Sequence, residues 1–501
     1  MTIMLILLGA TVVLELLVHI FGRSRAFRRV FAVATLLAIG FTTGVLIAGY
    51  SNVFTIIITI LSLYRMFNMI RVVRERMHER YLRNATRTTS WSLLAMQTGA
   101  AAGWWVWHTW HTDGFTSWGI VAGAQAIVAL VLLLSVLRTL RKTAWPAAET
   151  PLSDRELPTV TIAIPARNET EDLQRCLESV IASDYPKLEV IVLDDCSQIK
   201  RTPEIIKQFA HDGVRFIQGH EPEDTWLPKN QAYARLAEEA SGAYILFCGV
   251  DVRFGQQSVR RLITTMHTRQ KQMMCILPRR QASAYGHLSL IQAMRYWWEL
   301  VPPRRSFSRP PVISSSWIIT RAALKRTGGF AAVSRSVMPE AHFAKSLIAS
   351  DGYSFLRSTD GLDILSNKPV VEQRDTAIRM RYPQMHRRPE QVALLTLLEL
   401  MFLLAPFALT LVGFWVDIGS LAHILAAMAS VLLTIVYELS ALSTRVNSWW
   451  FGLIGQPLAA LTDIFLLHYS MSKYEFSIVD WKGRNVCIPV MHVVPKLPDA
   501  R

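Results

Sequence analysis

Charged residues are scarce in this chain of 501 residues: they make up 18% of it, against 51% apolar residues. A soluble protein of that length ordinarily carries about a quarter charged residues, so a purely soluble molecule is the first reading to fall. Cysteine is scarce as well. Cys176, Cys196, Cys248, Cys275 and Cys487 form no CxxC pair and no metal-ligand spacing, which excludes a zinc module and points to a reducing compartment without a disulfide framework. There is no P-loop, no GxGxxG, no internal repeat and no long low-complexity tract. The first apolar stretch has neither a basic leader nor a small-residue cleavage site, and is read as retained.

Positive charge is plentiful, with 53 Lys and Arg against 38 Asp and Glu, a net +15. Its densest runs, at 23–29, 71–87, 138–142 and 379–388, adjoin apolar segments. That distribution follows the positive-inside rule and argues against a nucleic-acid partner. Candidate membrane spans lie at 5–21, 31–50, 53–70, 91–110 and 119–137; placing the basic loops inside puts the amino terminus outside and the central insert in the cytoplasm. Trp104, Trp105, Trp107 and Trp110 fall where an aromatic belt is expected, with a ligand-stacking site as the sharper alternative. Three further apolar segments follow at 392–416, 418–442 and 449–469, and the last contains Pro457 and Asp463, so that it either crosses or re-enters. The expected organisation is five transmembrane helices over 1–142, a linker over 143–157, a cytoplasmic domain over 158–389, two to three transmembrane or re-entrant helices over 390–470, and a tail over 471–501.

From Thr159 short β-branched runs alternate with helical periodicity, the pattern of a parallel α/β sheet. Strands are expected at 160–164, ended by Pro165, and at 188–193, 214–217 and 243–247; helices at 173–181, 203–210 and 230–240. Carboxylates just beyond the carboxyl ends of such strands line the crevice where open sheets bind ligands. Asp194 and Asp195 are placed there, although either can instead cap the next turn. Gly328-Gly329 reads most simply as a turn, and His211, His220 and Glu221 as loop residues.

The run Ile164-Pro165-Ala166-Arg167-Asn168-Glu169, then Val192-Leu193-Asp194-Asp195-Cys196-Ser197, then Lys229-Asn230-Gln231-Ala232 and Phe247-Cys248-Gly249-Val250-Asp251, resembles the GT-A domain of family 2 glycosyltransferases. Gly328-Gly329-Phe330, Glu340, Gly352-Tyr353 and Arg379-Met380-Arg381-Tyr382, similar to the QxxRW motif, continue the resemblance. The tail Trp481-Lys482-Gly483-Arg484 is similar to the ending of lipid-modifying members, the hopanoid-associated and ceramide types. The resemblance implies an α/β GT-A, Rossmann-like nucleotide-diphospho-sugar transferase domain inserted between all-α transmembrane segments.

The resemblance further implies roles. Pro165, Glu169, Asp194, Asp195 and Lys229 would bind the nucleotide-sugar donor, a UDP-sugar in preference to a GDP-sugar, and Asp251 would hold Mg2+ or Mn2+ on its diphosphate. Carboxylate oxygens accept the N–H and O–H groups of a nucleoside and suit a hard cation. Gly249 stands where the motif's first acidic residue would be, so one metal carboxylate is missing. On the acceptor side Ala341 replaces the usual base, leaving Glu340 or His342 to take the proton. Arg379, Arg381 and Tyr382 would serve the leaving diphosphate and a stacked acceptor, with Ile378 in place of the glutamine. The implied protein is a glycosyltransferase, inverting and bound to a membrane, expected to be a bacterial plasma membrane. It moves one sugar to a lipid or lipid-linked acceptor; a processive polysaccharide synthase and a non-catalytic scaffold on a degenerate domain are the alternatives.

Overall fold

The structure, a computed structural model, describes residues 2–21, 25–49, 53–74, 80–109, 114–146, 152–223, 225–281, 290–303, 310–445 and 452–487. It forms two compact units: a helical unit of residues 1–126, 380–428 and 464–476, and an α/β unit of residues 127–379, 429–463 and 477–501. The helical unit begins with α1 (Thr2–Phe21), α2 (Arg25–Gly49), α3 (Val53–Arg74), α4 (Arg80–Thr109) and the first half of α5 (Gly114–Lys142). Leu37, Phe41 and Ile47 face outward while Ala32, Ile39 and Leu46 are buried, so α2 is apolar all round, as a helix in lipid must be. The helical segments long and apolar enough to cross a membrane, by length and composition, are Val30–Ala48, Val53–Val73, Trp118–Lys142, Pro389–Val412 and Ser420–Leu442.

Two expectations about this unit change. The basic stretch at 71–87 is largely helix, because α3 runs on to Arg74 and α4 starts at Arg80; arginine is a good helix former and extends both beyond their apolar parts. Trp104 is buried against Met4, Leu8, Leu46 and Ile58 and is not open to a stacking ligand, while the side chains of Trp105, Trp107 and Trp110 lie outside the described residues. The unit also buries an ion pair. Arg65 Nε donates to Glu15 Oε2 at 2.8 Å and Nη1 donates to Gln97 Oε1 at 2.6 Å and Thr11 Oγ1 at 3.1 Å. Such a pair is tolerable away from water only with this degree of hydrogen bonding.

In the α/β unit the strands are β1 (Val160–Ala166), β2 (Leu188–Asp194), β3 (Val214–Gln218), β4 (Tyr244–Cys248), β5 (Val252–Phe254), β6 (Met273–Leu277), β7 (Arg279–Arg280), β8 (Ser316–Thr320), β9 (Tyr353–Arg357) and β10 (Ile364–Ser366). The helices between them are α6 (Glu171–Ile181), α7 (Arg201–Gln208), α8 (Pro228–Glu239), α9 (Ser258–Thr268), α10 (Leu290–Leu300), α11 (Arg321–Arg326) and α12 (Pro339–Ile348). The main sheet has the order β3-β2-β1-β4-β8-β6-β9, with β5-β10-β7 beside it. The first four strands are parallel, as expected, but β8 runs antiparallel to β4 and β6, which makes the sheet mixed. Strand β1 does not end at Pro165: it continues to Ala166 along β2, while β4 pairs with it only as far as Ala163. The imino acid thus faces the side on which no donor is needed.

Period-two alternation sends the two sides of each strand into different cores. Ile162, Ile164, Val192, Leu246, Cys248 and Ile318 join Leu173, Cys176, Leu177 and Val180 of α6, whose i, i+3, i+4, i+7 spacing fixes that helix. On the other face Phe247 stacks on Trp317 at 4.4 Å between ring centroids, with Tyr233 of α8, Phe330 and Phe343 of α12 around them. Strand order reverses at β1, so the carboxyl ends of β1, β2 and β4 open on one crevice.

The remaining helices are α13 (Val370–Gln384), α14 (Pro389–Glu399), α15 (Ala405–Val412), α16 (Ser420–Leu442) and α17 (Gly452–Glu475), with a π-turn at Leu400–Leu404 between α14 and α15. The two units divide within α13, between Arg379 and Met380. Helix α17 runs unbroken through Pro457 and Asp463, and Asp463 Oδ2 accepts a hydrogen bond from Trp298 Nε1 at 2.8 Å. The tail forms a hairpin of β11 (Asp480–Trp481) and β12 (Arg484–Asn485). Its two turn residues, Lys482 and Gly483, have φ of 50° and 79°, the left-handed pair that a two-residue hairpin demands.

Candidate active site

Glu169 and Asp195 lie just past the ends of β1 and β2, each beside a residue forced into the left-handed region, Asn168 at φ 51° and Cys196 at φ 54°. The loops are tied together. Arg167 Nη1 donates to the Asp195 and Cys196 carbonyls at 2.6 and 2.7 Å, and Asn168 Oδ1 accepts from Gln198 N at 2.8 Å. Both carboxylates are buried, and burial raises the pKa of each, opposed by Lys482 at Glu169 and by Arg484 and Arg167 at Asp195. Asp194 has a different role. Its Oδ1 accepts from Ser197 N at 3.2 Å and its carbonyl from Gly219 N at 2.9 Å, so it caps the turn.

Asp195 lines a cavity of about 650 Å3 with Gly219, His220, Trp226, Gln231 and Phe330. Gly219 is required by close approach, since a Cβ there would lie 2.6 Å from the Asp194 carbonyl oxygen. The lining combines an aromatic surface with polar edges, which suits a flat heterocycle better than an ion.

Lys229 sits in the first turn of α8, which Asn230 anchors by donating to the Val333 and Ser336 carbonyls at 2.8 Å each. Its Nζ lies 5.1 Å from the Tyr233 ring centroid. Burial pushes its pKa down to about 8; Arg379, Arg295 and Lys368 push the same way, and Glu340 opposes them. Lys368 is likewise lowered by burial and by Arg295 and Arg379, with Asp251 opposing. Four cations therefore share one end of the cleft with the carboxylates of Asp251, Glu340 and Glu372. A surplus of buried positive charge is costly unless an anion joins it.

Asp251 follows β4. Its Oδ2 accepts from Ser366 Oγ at 2.8 Å, and a Cβ on Gly249 would lie 2.6 Å from its Oδ1. The glycine thus leaves the space into which the Asp251 carboxylate folds. Among the described residues no three His, Cys, Asp or Glu side chains converge on a metal position. One carboxylate oxygen fits a Mg2+ or Mn2+ that the donor diphosphate brings with it, since such ions take one or two carboxylates together with phosphate and water. It does not fit a resident ion caged by protein.

The expected acceptor residues disperse. Glu340, at the start of α12, is fully buried; its Oε1 accepts from Ser314 Oγ at 2.6 Å and its Oε2 has no hydrogen-bond partner among the described residues. His342 is exposed on the same helix, its Nε2 3.3 Å from the Thr327 carbonyl oxygen. Arg379 belongs to the α/β unit and lies with its guanidinium 4.7 Å from the Trp481 ring centroid. Arg381 and Tyr382 belong to the helical unit: Arg381 Nη2 lies 3.8 Å from Glu399 Oε1, and the fully buried Tyr382 donates to Glu475 Oε1 at 2.6 Å. Tyr382 is therefore an anchor rather than a stacking platform, and the aromatic ring beside Arg379 is that of Trp481.

Sequence reasoning missed Arg295, Lys368 and Glu372, and read Glu221 only as a loop residue. Glu221 pairs with Arg484 at 3.0 Å and Glu372 with Lys482 at 3.5 Å. None belongs to a local pattern, and only the fold brings them together. Arg167 and Asn168 were inside a quoted motif but had no role until the loops they brace were visible.

The described geometry agrees with what similarity shows. Residues 161–328 match the model of glycosyl transferase family 2. Glycosyltransferase AglE of Haloferax volcanii is 35% identical over 114 residues, 22% of this chain and 36% of that protein; the chain thus spans about a third of the length of this curated relative. Among solved structures, a mannosyltransferase from Pyrobaculum calidifontis in complex with GDP-Man and Mn2+ is similar with TM-score 0.43 and 17% identity, covering 71% of this chain and 98% of that one. Glucosyl-3-phosphoglycerate synthase from Mycobacterium tuberculosis, in complex with Mn2+ and UDP, is similar with TM-score 0.31 and 15% identity, covering 48% of this chain and 86% of that one. The similarity to glycosyl transferase family 2 covers residues 161–328, about a third of the chain.

Proposed function

We propose that the chain is a membrane-bound glycosyltransferase that moves one sugar from a nucleotide-sugar donor to a hydroxyl of a lipid or lipid-linked acceptor, with inversion at the anomeric carbon. The observation that carries this reading is the set of four cations, Lys229, Arg295, Lys368 and Arg379, which outnumber the carboxylates of Asp251, Glu340 and Glu372 that act on them among the described residues. A nucleoside diphosphate supplies the missing negative charge. In this reading Glu169 and Asp195 accept hydrogen bonds from the nucleoside, a UDP-sugar in preference to a GDP-sugar. Lys229 and Arg379 hold the diphosphate as charge develops on it, a form of stabilisation that grows toward the transition state. Asp251 would hold a divalent cation, Mg2+ or Mn2+, which when bound would supply Lewis-acid stabilisation of the leaving group. Glu340 is the carboxylate beside Lys229 and takes the acceptor proton once substrate opens its pocket; His342, at the surface, serves less well.

The helices long enough to span a bilayer support a lipid acceptor, and the basic runs that adjoin them support a cytoplasmic α/β domain. The domain order read from the sequence, helices before and after the insert, belongs to the same proposal. The test is transfer by the full chain in lipid nanodiscs, with a panel of UDP- and GDP-sugars, with Mg2+, Mn2+ or chelator. Stoichiometric release of one nucleoside diphosphate per glycolipid, lost in Asp251→Ala, is the expected result. A polymeric product refutes single-sugar transfer. Nucleotide binding without turnover on any acceptor refutes the enzyme and favours a scaffold, for which Gly249 and Ala341 speak.

A further inference from the structure

The hairpin of β11 and β12 is small, yet three of its groups reach the nucleoside end of the cleft. The Lys482 carbonyl accepts from Arg167 Nε and Asn168 Nδ2, both at 3.0 Å, and so takes hold of the residues that brace the two carboxylate loops. The Lys482 ammonium pairs with Glu169 Oε1 and lies 3.5 Å from Glu372 Oε1. Arg484 Nη1 donates to Asp195 Oδ2 at 2.7 Å and Nη2 to Glu221 Oε2 at 3.0 Å. The Trp481 ring lies under Arg379, and a Cβ on Gly483 would lie 3.0 Å from Gln198 Oε1. The left-handed turn at Lys482-Gly483 is what lets one short segment reach both carboxylates.

Each carboxylate is held by one oxygen. Asp195 Oδ1 and Glu169 Oε2 make no hydrogen bond among the described residues, and Asp195 lines the cavity. We propose that Lys482 and Arg484 are positioning residues of the donor site, clamping one oxygen of Glu169 and of Asp195 so that the other oxygen of each is presented, ionised, to the nucleoside. The inference rests on the reading of Glu169 and Asp195 as nucleoside-binding groups. Its physical basis is that a buried carboxylate tends to take up a proton and turn from acceptor to donor, and a fixed guanidinium opposes this.

The charged and titratable groups facing Asp195 are Arg484, Arg167, Glu221 and Cys196. Without Arg484 only Arg167 opposes protonation, and Glu221 loses its partner, so the pKa of Asp195 rises further. The pH below which Asp195 ceases to accept then moves upward. A residue that only supported the fold would weaken binding equally at every pH.

The experiment is calorimetric titration of the full chain in nanodiscs with UDP and GDP between about pH 5 and pH 8, on the wild type, Arg484→Ala, Arg484→Lys and Lys482→Ala, with melting temperature recorded for each. Arg484→Ala is expected to weaken binding at least about tenfold near pH 6 and less near pH 8, its acid limb displaced upward by about one pH unit. Arg484→Lys should recover most of the affinity, and at saturating donor kcat should change far less than KM. Tighter binding in either alanine variant would make the hairpin a competitor of the donor and overturn the proposal, as would weakening that is uniform across pH. If Arg484→Ala melts early, the pH dependence of Arg484→Lys decides, since a shorter reach to Asp195 still displaces the limb in the same direction. A wild type that binds neither nucleotide overturns the donor-site reading itself, whereas binding that Arg484→Ala leaves unaltered overturns this proposal alone.

Discussion

The two ends of the cleft are charged in opposite ways, and they are neutralised to different degrees. At the nucleoside end Glu169 and Asp195 are met by Lys482, Arg484 and Arg167, all supplied by the chain. At the other end Lys229, Arg295, Lys368 and Arg379 face Asp251, Glu340 and Glu372. In the proposed reading a neutral nucleoside adds no charge, so the first end can be balanced in advance, and a diphosphate adds two or more negative charges, so the second is left in surplus. The Glu15 and Arg65 pair of the helical unit is the limiting case of the first kind, with every charge answered inside the protein.

If the surplus exists for the diphosphate, removing part of it should cost activity before it costs stability. Lys229→Ala is expected to lower kcat by about 10²–10³-fold, the usual loss of a group that stabilises transition-state charge, with a melting temperature no lower than that of the wild type. Trp317→Ala provides the contrast: it empties the aromatic core, is expected to cost about 3–5 kcal/mol in denaturant titration, and should leave nucleotide affinity unaltered in whatever fraction stays folded.

Titration sharpens the comparison further. Lys229 carries its charge only below about pH 8 in the empty cleft, so nucleoside diphosphate affinity should fall as pH rises through 8, by up to about tenfold per unit. Calorimetry in buffers of different ionisation heat should show proton uptake on binding above that pH. Lys229→Arg should flatten the profile, because a guanidinium stays charged. The smallest effect expected is on metal. With Asp251 as a lone carboxylate, Mn2+ followed by electron paramagnetic resonance should show no saturable binding below about 1 mM without nucleotide and clear binding with UDP. Tight binding of Mn2+ alone would mean that other ligands converge there.

Much of this fold could be read from local pattern. The strands that became β1 to β4 and the helices α6 to α8 were placed within about two residues, because apolar periodicity fixes their faces. The antiparallel β8 escaped: Ser316–Thr320 pairs on both sides through partners far away in sequence, and nothing local specifies direction. In the candidate site, Glu169, Asp195, Lys229 and Asp251 were singled out through the family resemblance, and the structure places them at or next to strand and helix ends. Asp194 was not distinguishable from Asp195, since only the direction of each side chain separates a turn cap from a ligand group. Arg379, Arg381 and Tyr382 look like one cluster in sequence, but within α13 they divide between the units, Arg379 to Trp481 and Tyr382 to Glu475. The WKGR tail was visible as a motif, yet its contacts were not, because only the hairpin places Lys482 and Arg484 on the two carboxylates.

The most direct measurement is the binding of UDP and GDP to the full wild-type chain in nanodiscs, beside Lys229→Ala, at about pH 7 in the presence of Mg2+. Saturable binding of a nucleoside diphosphate, weakened at least about tenfold by the loss of Lys229 and lost to the parent nucleoside, is the result expected of a cleft whose surplus charge awaits a diphosphate. Equal affinity for nucleoside and nucleoside diphosphate, unaltered in Lys229→Ala, would contradict it.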